Sequence, residues 1–417
     1  MFTPGEKRLI SYKREVGNVS RFQRPLTQLV DKKLIVVCSA SVVDPLVMTS
    51  YNPLVSALKT TFNADITLVA LSSTFHMLPL AILCLFSGTI SDLYHRPKML
   101  MYGLFISSIG SLLGAISPNI LVFLLSRSIQ GIGSALIMPI ALALIGDITP
   151  REALGKAMGF NGMYNALVSA GLGPLISGYL GEINWRLVSL YLCAYSLIIG
   201  ILSKIVLRGL PVPHGNGSIG LVLQQIRRTV MNRNIVLLAT VGFISMFAWA
   251  GIQPLISDML SLPPLSMSKK EIGTIYSIVG FIGVLFAYVG GVLTDRFGPK
   301  RNMMFGLLME ILPVILLTFA NSYWSYAILL AVHGGFMRVT QTSRSTLVVE
   351  QIPEARGSAS SIIQFASFLG FASSPIVMSQ IYVSSGMNPV YMSNALLLTL
   401  SITFIALIRM PRKNSGT

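Results

Sequence analysis

The chain has 417 residues, of which 53% are hydrophobic and 11% charged, and its formal net charge is +16. A soluble domain carries about 25% charged residues, so this composition excludes an ordinary soluble globule. Apolar runs near 20 residues recur along the chain and point to lipid as its main solvent.

Residues 1–33 form a basic arm with eight Lys and Arg. The arm has no short apolar core and no small-residue cleavage site, so it reads as a loosely ordered cytoplasmic tail, not a signal peptide. Twelve spans are then expected, at 34–57, 67–91, 99–117, 119–145, 154–180, 186–208, 235–258, 271–293, 301–320, 323–348, 356–384 and 389–409. Sorted by side, 24 of the 31 Lys and Arg fall with the two termini and four fall opposite (Lys59, Arg186, Lys269 and Lys270). Such a split follows the positive-inside rule and places both termini in the cytoplasm. The basic charge is therefore topological, and no nucleic-acid partner is expected.

The first span carries Asp44-Pro45 and then Tyr51-Asn52-Pro53. A carboxyl inside a span costs several kcal/mol unless it meets a partner or a cavity, on the order of 3. Asp44 is thus either a structural acid or a titrating group in an aqueous path. Pro45 and Pro53 free backbone carbonyls that need a polar lining. The second span runs into Gly88-Thr-Ile-Ser-Asp92-Leu-Tyr-His-Arg96-Pro-Lys98, a charged hinge before the third. The fourth holds Arg127-Ser-Ile-Gln130-Gly131-Ile-Gly133, with the arginine and glutamine on one face. In the fifth, Ser169, Gly173 and Ser177 form a small-residue face, Gly178 follows, and Pro174 should kink the helix. Trp185-Arg186 is expected at the outer interface.

Residues 209–234, rich in Pro and Gly at their start, read as a cytoplasmic linker. The seventh span carries Trp249, Gln253 and Pro254, the ninth Glu310, and the tenth His333, Arg338, Gln341 and Arg344. A second hinge, Gly291-Val-Leu-Thr-Asp295-Arg296-Phe-Gly-Pro-Lys300-Arg301, repeats the first at an offset of 203 positions. Gly131 and Gly334, Pro150 and Pro353, and Asp147 and Glu350 keep the same offset, so the chain is a duplication. The domains are expected at 34–208 and 235–409, with a tail at 410–417. Cys38, Cys84 and Cys193 lie in apolar runs without CxxC spacing or histidine partners, so no metal site is implied.

With these residues in view, the chain resembles the major facilitator superfamily, and within it the twelve-helix drug:proton antiporters. The hinge motif matches at Gly88, Asp92, Arg96 and Lys98, and more fully at Gly291, Asp295, Arg296, Gly298 and Arg301. The fourth-helix pattern R-x-x-Q-G-x-G is complete at Arg127 to Gly133. The fifth-helix pattern GxxxGPxxGG is met at Gly173, Pro174 and Gly178, with Ser169 and Ser177 in place of glycines. The resemblance implies an all-α integral membrane protein of twelve helices in two six-helix pseudo-symmetric halves that rock about a central cavity. It implies that Asn52, Gln130, Trp249, Gln253, His333 and Arg338 lie on cavity helices with Asp44 and Arg127.

The expected function is proton-coupled export of small lipophilic compounds from the cell by alternating access. Asp44 carries the proton and Arg127 modulates it. Transport of a specific metabolite such as an organic anion, favoured by Arg127, Arg338 and Arg344, is the alternative, and a transport-dead receptor is a third. No P-loop, HExxH or GxSxG string is present, so neither an enzyme nor a cofactor is expected. The expected partners are a small-molecule substrate, protons and lipid of the plasma membrane, with the chain acting as a monomer.

Overall fold

A computed structural model describes residues 31–93, 95–210, 220, 224, 229–351 and 356–408, and no side chain at 88–93, 151, 349–351 or 356–358. The arm before residue 31, most of the linker and the tail lie outside the described residues. So do the side chains of Gly88 and Asp92.

Among the described residues there are twelve membrane-length helical segments. In the first half they are α1 (Lys32–Phe62), α2 (Ile66–Leu93), α3 (Arg96–Ala115), α4 (Ile120–Ile148), α5 (Leu154–Ile183) and α6 (Trp185–Val206). In the second half they are α7 (Arg233–Ser261), α8 (Lys269–Phe297), α9 (Pro299–Leu316), α10 (Tyr323–Gln351), α11 (Arg356–Ser385) and α12 (Met387–Ala406). Eleven are long and apolar enough to cross a membrane by composition, and α10 is not one of them. It carries His333, Arg338, Gln341 and Arg344 along one helix, and that polar load suits a helix facing a cavity instead of lipid. Large apolar side chains such as Ile109, Leu121 and Tyr288 stand exposed on the outside of the bundle, where lipid would cover them.

Proline shapes the helices that line the centre. α1 is interrupted at Val42 and again at the 3₁₀ turn Asn52–Leu54. Pro45 has no N–H to offer the carbonyl of Ser41 four residues back. Asn165 on α5 takes its place, donating from Nδ2 to Ser41 O at 3.1 Å. In α5 the expected kink at Pro174 takes the form of a π-helical stretch, Ala166–Leu172, that ends just before it. The shifted register absorbs the missing donor.

The two halves meet at the end of the bundle away from the termini. There Lys59 Nζ pairs with Asp258 Oδ1 at 2.6 Å, Asn52 Nδ2 donates to Gln253 Oε1 at 3.1 Å, and Ser257 Oγ donates to Asn52 O. Tyr382 on α11 donates to the other oxygen of Asp258 at 3.2 Å. α5 crosses α8 through glycine: a Cβ on Gly273 would sit 2.5 Å from Pro174 O, and one on Gly178 would sit 2.7 Å from Lys269 O. At the terminal end the picture reverses. A Cβ on Gly146, Gly155, Gly159, Gly162 or Gly291 would meet no atom within 4 Å. Among the described residues, the halves are closed at the far end and parted at the terminal end.

Candidate substrate and proton site

A cavity of about 430 Å³ lies between the halves, with walls from α1, α2, α4, α5, α7, α8, α10 and α11. Asp44, Asn52, Trp249, Gln253 and Arg338 line it, and so do Arg344 and Gln341. Its apolar wall includes Met48, Met77, Met138, Met246 and Met337. Methionine side chains are unbranched and polarisable, so such a wall adapts to ligands of different shape.

Asp44 is buried, and its Oδ1 lies 2.9 Å from Nε2 of His76 on α2. The backbone explains the approach. The Pro45 break opens α1 beside Asp44, and α2 is held against α4 where Gly131 offers no side chain: a Cβ there would fall 2.0 Å from His76 O. The other ring nitrogen of His76 is buried without a partner among the described residues. Asp44 and His76 therefore form an acid–base pair, with Asp44 on the cavity wall and His76 buried behind it. Sequence reasoning named Asp44 and missed His76. A lone histidine in an apolar span is the same signal as a lone aspartate, but their pairing across 32 positions requires the fold.

Arg127 makes no ion pair with Asp44. Its guanidinium donates to Gln130 Oε1 and Ser72 O, contacts Met48 Sδ at 3.4 Å, and lies 4.4 Å above the Tyr51 ring. Gln130 in turn donates to Ser111 Oγ at 2.8 Å. This network ties α4 to α1, α2 and α3 behind the cavity, and Gln130 does not line the cavity itself. Gly133 lets α3 approach: its Cβ would meet Gly103 O at 2.7 Å. His333 also sits behind the wall, its ring 5.5 Å from that of Trp249 and both nitrogens without a partner among the described residues. Gly173 packs against Leu46, while Pro174 lines the cavity.

Trp185 departs from expectation. It is buried among Phe62 and Phe123, donates to Thr61 Oγ1 at 2.9 Å and carries Arg186 on its face at 4.7 Å. The ring seals the end of the first half instead of sitting among headgroups. At the hinges, Arg96 binds both oxygens of Asp147, at 2.8 and 2.7 Å. Lys98, Asp295 and Arg301 are exposed, and Arg296 lies 5.4 Å over the Phe297 ring.

Twelve membrane helices in two packed halves, parted at one end around a largely apolar cavity that holds Asp44, Arg338 and Arg344, form an architecture suited to transport. The Major Facilitator Superfamily model matches residues 37–256 and again 238–417. The chain belongs to that superfamily. It is 26% identical over 315 residues to the quinolone resistance protein NorA of Staphylococcus aureus strain Mu50, covering 74% of this chain and 79% of that protein. To NorA of strain MRSA252 it is 24% identical over the same length. Among solved structures, a D-xylose-proton symporter superposes with a TM-score of 0.74 at 17% identity, covering 93% of this chain and 99% of that one. That likeness concerns the fold.

Proposed function

We propose that this transporter exports small lipophilic organic compounds from the cell in exchange for protons. The observation that carries the reading is Asp44, a carboxyl on the cavity wall whose only hydrogen-bonding neighbour among the described residues is a histidine. A group that takes up a proton in one state and releases it in another couples the gradient to the cargo. The methionine-rich wall supports a lipophilic cargo of variable shape. The likeness to NorA, whose name gives quinolone resistance, supports export. With the basic residues and termini cytoplasmic, the parted end faces the cytoplasm and the cavity loads from inside a plasma-membrane monomer surrounded by lipid. No enzymatic role is proposed.

Arg127 positions α1 and α2 around Asp44 without touching the proton. Gly88, Asp92, Arg96, Lys98 and their second-half counterparts act as hinges at the cytoplasmic end. Gly131, Gly133, Gly173 and Gly178 hold the close helix crossings on which rocking depends.

The test is reconstitution into proteoliposomes with an imposed pH step and a panel of neutral, cationic and anionic lipophilic dyes. A one-unit step is worth about 1.4 kcal/mol per proton, enough for roughly tenfold accumulation. At least one dye should accumulate against its gradient, and Asp44→Asn should bring accumulation down to that of protein-free liposomes. Accumulation at the unaltered rate in Asp44→Asn would overturn the role given to Asp44. No gradient-driven movement of any dye would overturn the function.

A further inference from the structure

We propose that the preferred cargo is an amphipathic organic anion: an apolar body bearing a carboxylate or sulfonate, with the charged group received by Arg338 and Arg344. This deepens the transport reading above and rests on it for the word cargo, though not for the binding itself.

The charged groups facing the cavity are few. Asp44, Arg338 and Arg344 line it. The acid already has a partner in His76 at 2.9 Å. The two arginines have no acid within 4.0 Å among the described residues. Arg338 donates from Nη1 to Gln341 Oε1 at 3.1 Å, a neutral acceptor one turn away. Arg344 is 5% exposed and no hydrogen bond to its guanidinium is found among the described residues. A guanidinium stays charged at any working pH and presents five donors in a planar fork. Left buried beside a cavity with its donors unused, it favours an anion that can accept them.

The neighbours of Arg344 have been cleared for that purpose. Gly242 on α7 leaves it room: a Cβ there would lie 3.0 Å from Nη1. Glu310 on α9 is the acid that acts on Arg344 electrostatically, yet it forms no ion pair with it, and its carboxylate accepts from Thr340 Oγ1 instead. Gln364 and Ser367 on α11 line the cavity as neutral groups. Arg127 offers a contrast inside the same protein. It is just as deeply buried, but its donors go to Gln130 and Ser72 and its face to Tyr51. Arg127 is a structural cation; Arg344 has Glu310 only at a distance and no acceptor for its donors among the described residues.

Arg338 and Arg344 lie six positions apart on α10, so they are separated by about 9 Å along the axis at 1.5 Å per residue. Arg344 lies nearer the open end and Arg338 deeper. An anion entering from the parted end meets Arg344 first and can pass to Arg338, while its apolar body rests on Met246, Met337, Trp249, Phe368 and Phe371. A volume of about 430 Å³ is that of a site for a small organic molecule.

The test uses the full chain in phosphatidylcholine nanodiscs, where no anionic lipid competes, and three probes of one shape. They are 2-naphthoate, the neutral 2-naphthamide and the cationic 2-naphthylmethylammonium. Apparent Kd values come from the dependence of the unfolding midpoint on ligand concentration. Naphthoate should bind at least tenfold more tightly than either of the others. In Arg344→Gln combined with Arg338→Gln that preference should shrink to less than threefold, and Arg344→Lys should recover part of it. The proposal is overturned if naphthamide or the ammonium binds the unaltered protein as tightly as naphthoate, if none of the three binds, or if the preference survives in the double variant. Should the double variant fail to fold, the ranking on the unaltered protein decides alone. Naphthoate binding without any pH-driven dye transport would leave this proposal standing and remove the coupled-export reading. Driven transport of cationic dyes without naphthoate preference would do the reverse.

Discussion

The two halves of this protein share a backbone plan and divide the chemistry. At an offset of 203 positions, Gly131 matches Gly334 and Asp147 matches Glu350, yet none of the charged cavity residues is duplicated. Asp44 corresponds to Phe247, His76 to Val279, Arg338 to Ala135 and Arg344 to Ala141. Duplication fixed the order of the helices and the crossing at Gly131 and Gly334, whereas Gly133 and Gly178 correspond to Phe336 and Ile381. The interior surfaces were then free to diverge, one half holding an acid–base pair and the other holding cations. An internal repeat is therefore a sound guide to architecture and a poor guide to which half carries which group.

The sharpest test of that division concerns two buried histidines. His76 is bonded to Asp44, whereas His333 has no partner for either nitrogen among the described residues. His76→Leu leaves a buried carboxyl without its donor, a loss of about 1–3 kcal/mol. Gradient-driven transport should fall roughly 10- to 100-fold. His333→Leu removes nitrogens without a close hydrogen-bond partner among the described residues and should change the rate less than about threefold. Equal losses in the two variants, measured in proteoliposomes, would erase the proposed difference between the halves.

Next in size are the matched glycines of α4 and α10. A Cβ at Gly131 runs into a backbone carbonyl, His76 O, at 2.0 Å; at Gly334 it meets the side-chain atom Val279 Cγ1 at 2.6 Å. A side chain can rotate away, whereas the α2 backbone must shift as a whole. Gly131→Ala should cost about 1–3 kcal/mol and Gly334→Ala less than about 1.5. Thermal unfolding of the two variants in the same detergent checks the order. A reversed order would mean that the α2–α4 crossing is looser than its geometry.

The fold was largely legible because its determinants are local. Apolar length gave the spans, and the paired hinges gave the duplication. α10, too polar to pass on hydropathy across its whole length, matches the tenth expected span, 323–348. Half of the site was legible too, since polar residues in apolar runs stand out one at a time. What stayed hidden were relations between distant residues. Asp44 and Arg127 both stand out in the sequence, and Arg127 shares a helix face with Gln130, but only the fold brings His76 to Asp44 and Tyr51 under Arg127. Lys59, expected on the far side, and Asp258, the last residue of the expected seventh span, are joined only by the fold, at 2.6 Å.

That pair ties the halves to each other, so it tests how they separate. Asp258 is 2% exposed and bonded to both Lys59 and Tyr382. Lys59 is partly exposed, which weakens the pair by solvent screening. Asp258→Asn should favour the state open at the far end by about 1 kcal/mol, a shift of roughly fivefold in population. Modification of Asn52→Cys by a membrane-impermeant thiol reagent from that side should quicken by a similar factor. An unchanged labelling rate would mean that glycine packing between α5 and α8 holds this end shut without the ion pair.

The smallest expected effect separates the two hinges. Gly298 ends α8 with φ +83° and ψ 151°, a region that a side chain enters only under strain. Its counterpart in the first hinge is His95, at φ −60° and ψ 110°, which any residue adopts. The two copies of the motif thus turn the chain differently, and this accounts for glycine at one position and histidine at the other. Space is not the constraint, because a Cβ at Gly298 would touch nothing within 4 Å. Gly298→Ala should therefore cost about 1 kcal/mol, all of it backbone strain at an open helix end. His95→Ala should stay within about 0.5 kcal/mol. Because φ +83° with ψ 151° is a region open essentially to glycine alone, Gly298→Asn should lose about as much as Gly298→Ala. Unfolding midpoints for the three variants check the strain: if neither Gly298→Ala nor Gly298→Asn costs more than His95→Ala, the two hinges turn alike.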